Sequence, residues 1–343
     1  MSDTSALSEY AQKVLLITFQ LGLVVLRPIA LVVEAASVPL SPDFYPFPLA
    51  TTLHALRVSH AYKGRVKALG HEGAMKARGL GVELAGYLAM AWGGSLVNAL
   101  LMGTPPPQLL TAWPLINYIS VYAVINSPFI SPYHPTSETL DTVVPLIDGL
   151  TRAFPISGAV LACSTHSNPA IRNSLMYQII LGGISASGGG MVASTLNVFS
   201  PEWRLSTPPI LSSGFLGSLD FVAAAVSSVI FGLLTSSHPV YVGATNYLST
   251  LPYLSPASNK AAASSGAAGP LMTVLGARSV VVLFLSIVYA TKAYVLHGSP
   301  SVARVQARRA KKAAEAEAKA NAGESEKQGV KVDVKVKESK KAI

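Results

Sequence analysis

Charge is what this sequence has least of. Only 13% of its 343 residues are Asp, Glu, Lys or Arg, about half the ~25% with which a soluble domain coats itself against water. Cysteine is nearly absent: Cys163 is the single thiol, which excludes an intrachain disulfide scaffold. Catalytic signatures are missing too. The chain has no HExxH zinc helix, no GxSxG nucleophile elbow and no GxxxxGK[ST] phosphate loop, so neither an enzyme, a metal site nor a cofactor is expected. Cys163 lies three residues from His166, a spacing more often accidental than catalytic.

What the chain does have is apolar length. Half of its residues are hydrophobic and the mean hydropathy is +0.43. A membrane span needs about 20 mostly apolar residues. Clear candidates run over 80–102, 109–130, 142–163, 174–198, 214–234 and 278–296, and a weaker one over 46–62 carries His54, Arg57 and His60 close to one helical face. These seven make an all-α integral membrane protein. An eighth apolar stretch, 14–35, contains Gln20, Arg27, Pro28 and Glu34; it is expected as a membrane-associated helix outside the main bundle rather than as a true span. A cleaved signal peptide is not expected, because the leader holds Asp3 and Glu9 and no basic cluster. The domains are then an N-terminal extension over 1–45, a seven-helix body over 46–297 and a tail over 298–343.

The net charge of +9 sits mostly in that tail, where 12 Lys/Arg face 6 Asp/Glu from His297 onward. With almost no large apolar residues it has no core to bury and should be largely disordered. Attraction to anionic lipid headgroups suits it; nucleic acid does not, since no aromatics interleave the basic residues. Lys63, Arg65, Lys67, Lys76 and Arg78 follow the first weak span, against Glu72, so that loop should face the cytosol. Seven spans then place the C-terminus on the cytosolic side as well. There Lys340 and Lys341, third and fourth from the end, resemble a dilysine retrieval signal read by a coat at the endoplasmic reticulum.

Two apolar runs carry glycine at their centres: Gly93-Gly94 in the second, Gly182-Gly183 and Gly188-Gly189-Gly190 in the fifth. Each glycine inside a helix costs about 1 kcal/mol against alanine. Close helix packing is one reason for such runs. The other is a kink or break beside a water-filled path, and matched positions in two halves point to a midplane pathway between inverted repeats. On that reading Gly93, Gly94, Gly188, Gly189 and Gly190 are pore or hinge residues. Ionisable groups inside a bilayer cost at least ~2.5–3.5 kcal/mol each. Asp148 and Arg152 lie four apart on one helical face, either as a self-neutralising pair or as the charged lining of an ion route. Glu83 opens the second span, Asp220 lies within the sixth, and Arg278 and Lys292 lie near the ends of the seventh, where snorkelling is the default expectation.

The segments GYLAMAWGGSLVNALLMGTPPPQLL and WPLINYISVYAVINSP, the Phe47-Pro48 opening, SASGGGMVASTLNVF, and IVYATKAYVL with Lys292 together resemble the trimeric intracellular cation channel family, over about 47–296. The resemblance implies a homotrimer with one pore per subunit. Each subunit would hold two three-helix inverted repeats, about 46–130 and 141–235, plus a seventh helix over 278–296. It implies K+ conduction across the endoplasmic-reticulum or nuclear-envelope membrane, as counter-current to Ca2+ release or uptake. It also implies contact with an inositol phospholipid. Where the family has Lys-Glu-Val-x-Arg, this chain reads Asp148-Gly149-Leu150-Thr151-Arg152, so only Arg152 carries over to that site. Asp148, Arg152 and Lys292 are the expected gating or lipid-contact residues. A secondary transporter built on inverted repeats and a non-conducting membrane scaffold are the alternatives.

Overall fold

The computed structural model describes residues 22, 24–133, 139, 145–212, 214–249 and 270–298. The signal at Lys340 and Lys341, most of the tail, and 14–21 of the N-terminal apolar stretch lie outside them. The chain divides into two units after Ala290.

Among its described residues the first unit is mostly helical, with one small hairpin. Helix α1 covers 24–37, and an antiparallel pair of strands, β1 (Pro39–Ser41) and β2 (Tyr45–Pro48), turns the chain into α2 (Leu49–Ala68). Then follow α3 (Leu80–Met102), α4 (Trp113–Ile125), α5 (Pro145–Ser164), α6 (Leu175–Thr195), α7 (Gly214–Thr235) and α8 (Val274–Ala293). The described part of the second unit is the end of α8 and a π-helical turn, Tyr294–Gly298.

Among the described residues five helical segments are long and apolar enough to cross a bilayer: Leu80–Met102, Pro145–Ser164, Leu175–Thr195, Gly217–Thr235 and Val274–His297. The protein is an all-α, multi-pass membrane protein. At 1.5 Å per residue α3, with 23 residues, is about 35 Å long, against about 30 Å of hydrocarbon. The other two expected spans differ. Helix α4 has 13 residues, about 20 Å, because Pro114 starts it late and Asn126 caps it early; a separate turn, Pro107–Leu110, precedes it. Helix α2 begins three residues later than expected, since Pro46–Pro48 are strand, and continues through Lys63, Arg65 and Lys67 to Ala68. The basic loop is therefore largely helical, and Glu72–Arg78 forms its own short helix.

The helices group three and three. Helix α2 packs on α3 and α4; α5, α6 and α7 pack on one another; and the groups meet through α3 against α6 and α2 against α5. One buried cluster, around Tyr62, Tyr87, Tyr118 and Tyr122, fills the first group. The other, around Ile156, Phe231, Val281 and Leu285, fills the second together with α8. Lipid tails are as apolar as leucine, so packing and polar stitches hold such a bundle together. Asn98 donates to the Leu181 carbonyl at 2.9 Å, tying α3 to α6, and the Tyr87 hydroxyl donates to the Ala55 carbonyl at 3.1 Å, tying α3 to α2. Buried Ser187, Ser227, Ser228 and Ser279 each donate to a carbonyl four residues back, which satisfies the hydroxyl without a partner helix.

One peripheral expectation is corrected. Helix α1 is not outside the bundle: Ile29, Val33 and Ala36, spaced along one face, are buried in the cluster of α5, α7 and α8. After α7 the chain forms a further helix, Pro239–Ser249, with Thr245 fully buried. Residues 250–269 lie outside the described ones.

Candidate functional site

Two cavities adjoin in the middle of the first unit. The larger, about 410 Å3, is lined by Trp92, Ser95, Gln108, Tyr118, Phe154 and Arg278 among others. The smaller, about 210 Å3, is lined by Arg57, Asp148, Arg152, Asp220 and three glycines. His54 of α2, Ala91 of α3, Thr151 of α5 and Ser185 of α6 line both. The junction thus falls where the two helix groups face each other.

Local sequence explains why the junction is polar. His54 shares a 2.8 Å hydrogen bond between Nδ1 and the Tyr118 hydroxyl, which orients the ring. Thr151 donates its hydroxyl to the Ile147 carbonyl at 3.0 Å. Pro155, one turn on and inside α5, has no N–H to return to the Thr151 carbonyl. In a bilayer such a carbonyl is tolerated where it meets a cavity, and Thr151 and Pro155 both line the larger one.

The smaller cavity holds two ion pairs between helices. Arg57 of α2 grips Asp148 of α5 side-on, Nε to Oδ1 at 2.7 Å and Nη2 to Oδ2 at 3.1 Å. This bidentate geometry is the strong form of the contact. Arg152 donates to the Ala186 carbonyl of α6 at 2.7 Å, lies 3.6 Å from Asp220 of α7, and stacks over the Tyr289 ring of α8 at 4.8 Å. Asp148 and Arg152 are therefore each held by a partner on another helix, and both line the cavity. A third polar cluster stands apart from it: Glu83 accepts from Lys63 and from the Tyr122 hydroxyl, with Lys63 5.7 Å from the Tyr122 ring centre.

The glycine expectation divides. Helices α3 and α6 run unbroken through Gly93-Gly94 and through Gly182–Gly190, so the expected break is absent. The runs instead let two backbones touch. A Cβ on Gly94 would stand 2.6 Å from the Ile184 carbonyl oxygen, one on Gly188 would stand 2.6 Å from the Gly94 Cα, and one on Gly93 would stand 2.8 Å from Val192. A Cβ on Gly189 would collide with the Met90 carbonyl, whereas Gly190 has open space. Close approach keeps the α-helical hydrogen bonds, which a break would lose in a medium without water to replace them. Gly94, Gly189 and Gly190 nonetheless line the smaller cavity.

Arg278 is also corrected. Helix α8 starts at Val274, which places Arg278 one turn inside it. It does not snorkel outward: its Nε donates to the Ser157 hydroxyl at 2.9 Å, its guanidinium lies 4.4 Å from the Phe154 ring centre, and it lines the larger cavity. Lys292 falls in the second unit, in the last turn of α8. Sequence reading missed Thr151, Ser185, Gln108 and Pro155. Of these only Pro155, a proline inside an apolar 20-residue run, carried a visible signal. Among the described residues no three His, Cys, Asp or Glu side chains converge to hold a metal.

No family model, no characterised protein and no solved structure matches this chain.

Proposed function

We propose that this protein is a monovalent-cation channel, conducting mainly K+, in the membrane of the endoplasmic reticulum or nuclear envelope. The observation that carries the reading is the pair of adjoining cavities through the centre of the first unit, joined at His54, Ala91, Thr151 and Ser185. Four charges line the smaller cavity, two of each sign, and their pairing leaves little net field there. Carbonyl and hydroxyl oxygens at Thr151 and Ser185 are the ligand type that replaces a K+ hydration shell.

Two three-helix inverted repeats plus a seventh helix belong to the same proposal. Contacts between the first helices, α2 and α5, and between the middle helices, α3 and α6, support it. Helix α2 then crosses as part of the bundle, shielded by neighbours rather than by its own hydropathy, and the short apolar α4 crosses beside it. Large apolar residues exposed on the helices, among them Leu100, Ile116, Val124 and Ile287, leave surface for lipid or for the other subunits of a homotrimer. The counter-current role, the cytosolic C-terminus and inositol-lipid contact through Arg152 rest on the sequence resemblance.

The test is planar-bilayer recording of the purified full-length protein in asymmetric KCl. Discrete openings that reverse near the K+ potential are expected. Transport without unitary currents would move the assignment to an alternating-access carrier, and silence from verified trimers would leave a membrane scaffold.

A further inference from the structure

We propose that the larger cavity is a binding site for an anionic amphiphile: a carboxylate or phosphate head on an apolar body, with the head held by Arg278. Every other arginine facing the two cavities has a carboxylate on it, Arg57 with Asp148 and Arg152 with Asp220. Arg278 does not. Among the described residues its contacts are the Ser157 hydroxyl and the Phe154 ring, and no carboxylate pairs with it.

A guanidinium carries five N–H donors in a fork that fits two oxygens of a carboxylate or phosphate. Leaving one in apolar surroundings without a counter-ion is costly. The rest of the lining says what accompanies the anion. Ala91, Trp92, Phe154 and Pro155 present apolar surface, and the volume of about 410 Å3 falls in the range of small-molecule sites, about 300–1,000 Å3. A bare inorganic ion would leave that surface unused. Gln108 Oε1 is buried there with no partner, a second unmet polar group that a hydroxyl on the ligand would satisfy. An occupant would stand against His54 and Thr151, where the two cavities meet.

The proposal holds whether or not the chain conducts, because its readout is binding. Full-length protein in zwitterionic-lipid nanodiscs would be titrated with dodecanoate, dodecyl phosphate, dodecyltrimethylammonium and inorganic phosphate, following the thermal unfolding midpoint. The two anionic amphiphiles are expected to raise the midpoint saturably. Arg278→Gln should weaken them about tenfold or more, the scale of one charge-assisted contact, and Arg278→Lys should retain part. Dodecyltrimethylammonium should do nothing specific. Equal response to the cationic probe, no binding by either anionic amphiphile, or an Arg278→Gln variant that binds as before would overturn the proposal. Inorganic phosphate binding as tightly as the amphiphiles would overturn the amphiphile assignment. If Arg278→Gln does not fold, a photoreactive dodecanoate on the unaltered protein decides. Labels near Trp92 or Phe154 support the site, and labels confined to outward residues such as Leu100 refute it.

Discussion

Replacing Gly94 with alanine should destabilise the bundle, while the same change at Gly190 should not. The two glycines differ in what surrounds them. At Gly94 a Cβ would lie 2.6 Å from the Ile184 carbonyl oxygen and 3.2 Å from that of Ser185, both on α6. Ordinary contact between such atoms is about 3.5–4.0 Å, so α3 and α6 would have to part by roughly 1 Å. Backbone cannot swing aside as a side chain can. Overpacking of this kind costs about 1–3 kcal/mol, and Asn98, whose amide donates to the Leu181 carbonyl across the same interface, would feel the separation. At Gly190 nothing lies within 4 Å, so alanine there should gain up to about 1 kcal/mol of helix propensity. Gly189, whose added Cβ would meet the Met90 carbonyl, should be the least tolerant of the three. Thermal or denaturant unfolding in one detergent, with yield by size exclusion, gives the ranking: Gly189→Ala lowest, Gly94→Ala next, Gly190→Ala at or above the unaltered protein. Indistinguishable midpoints for Gly94→Ala and Gly190→Ala would refute the close-approach account of these glycine runs.

Asp148→Asn removes the charge and one of the two oxygens that Arg57 grips side-on and should cost about 1–3 kcal/mol, the scale of a weakened charge-assisted hydrogen bond. The double variant Arg57→Gln/Asp148→Asn should lose less than the sum of the singles, and strict additivity in the same unfolding assay would show that the pair is not coupled. Tyr122→Phe removes a hydrogen bond to the Glu83 carboxylate and should cost about 1.5–3 kcal/mol, whereas Glu83→Gln in that background should add less than it does alone. Cys163 is fully buried; as the only thiol it should resist a maleimide in the folded protein and take one label on unfolding, and rapid labelling of native protein would contradict its place in the core.

Membrane character was legible from composition, and so were five long helices, because a bilayer selects segments by local hydropathy and length. The second span, 80–102, was read to the residue, since Gly79 and Gly103 punctuate both ends. The other two spans were read less well. Helix α2 continues past Tyr62, where Val66 is buried in the same cluster as Met75, and α4 stops short of the apolar run that surrounds it because Pro114 and Asn126 bound it. The glycines announced that α3 and α6 were unusual, yet close approach and a broken path leave the same sequence mark. Only tertiary structure, by seating Ile184 and Met90 carbonyls against Gly94 and Gly189, decided between them.

The charged groups divide in the same way. Sequence alone required that Asp148, Arg152 and Asp220 meet partners or water, because an isolated charge in hydrocarbon is too costly. It could not say which partners. Arg57 and Asp148 are 91 positions apart, and their meeting depends on the rotation and depth of two helices, which packing sets and local hydropathy does not. Arg278 reads as an end-of-span residue until α8 begins at Val274 and turns it toward Ser157. Sequence by itself determined that this chain lives in a membrane and picked out the five stretches long and apolar enough to cross it. The cavities, the junction at Thr151 and the ion pairs beside it exist only once side chains from separate helices are brought together.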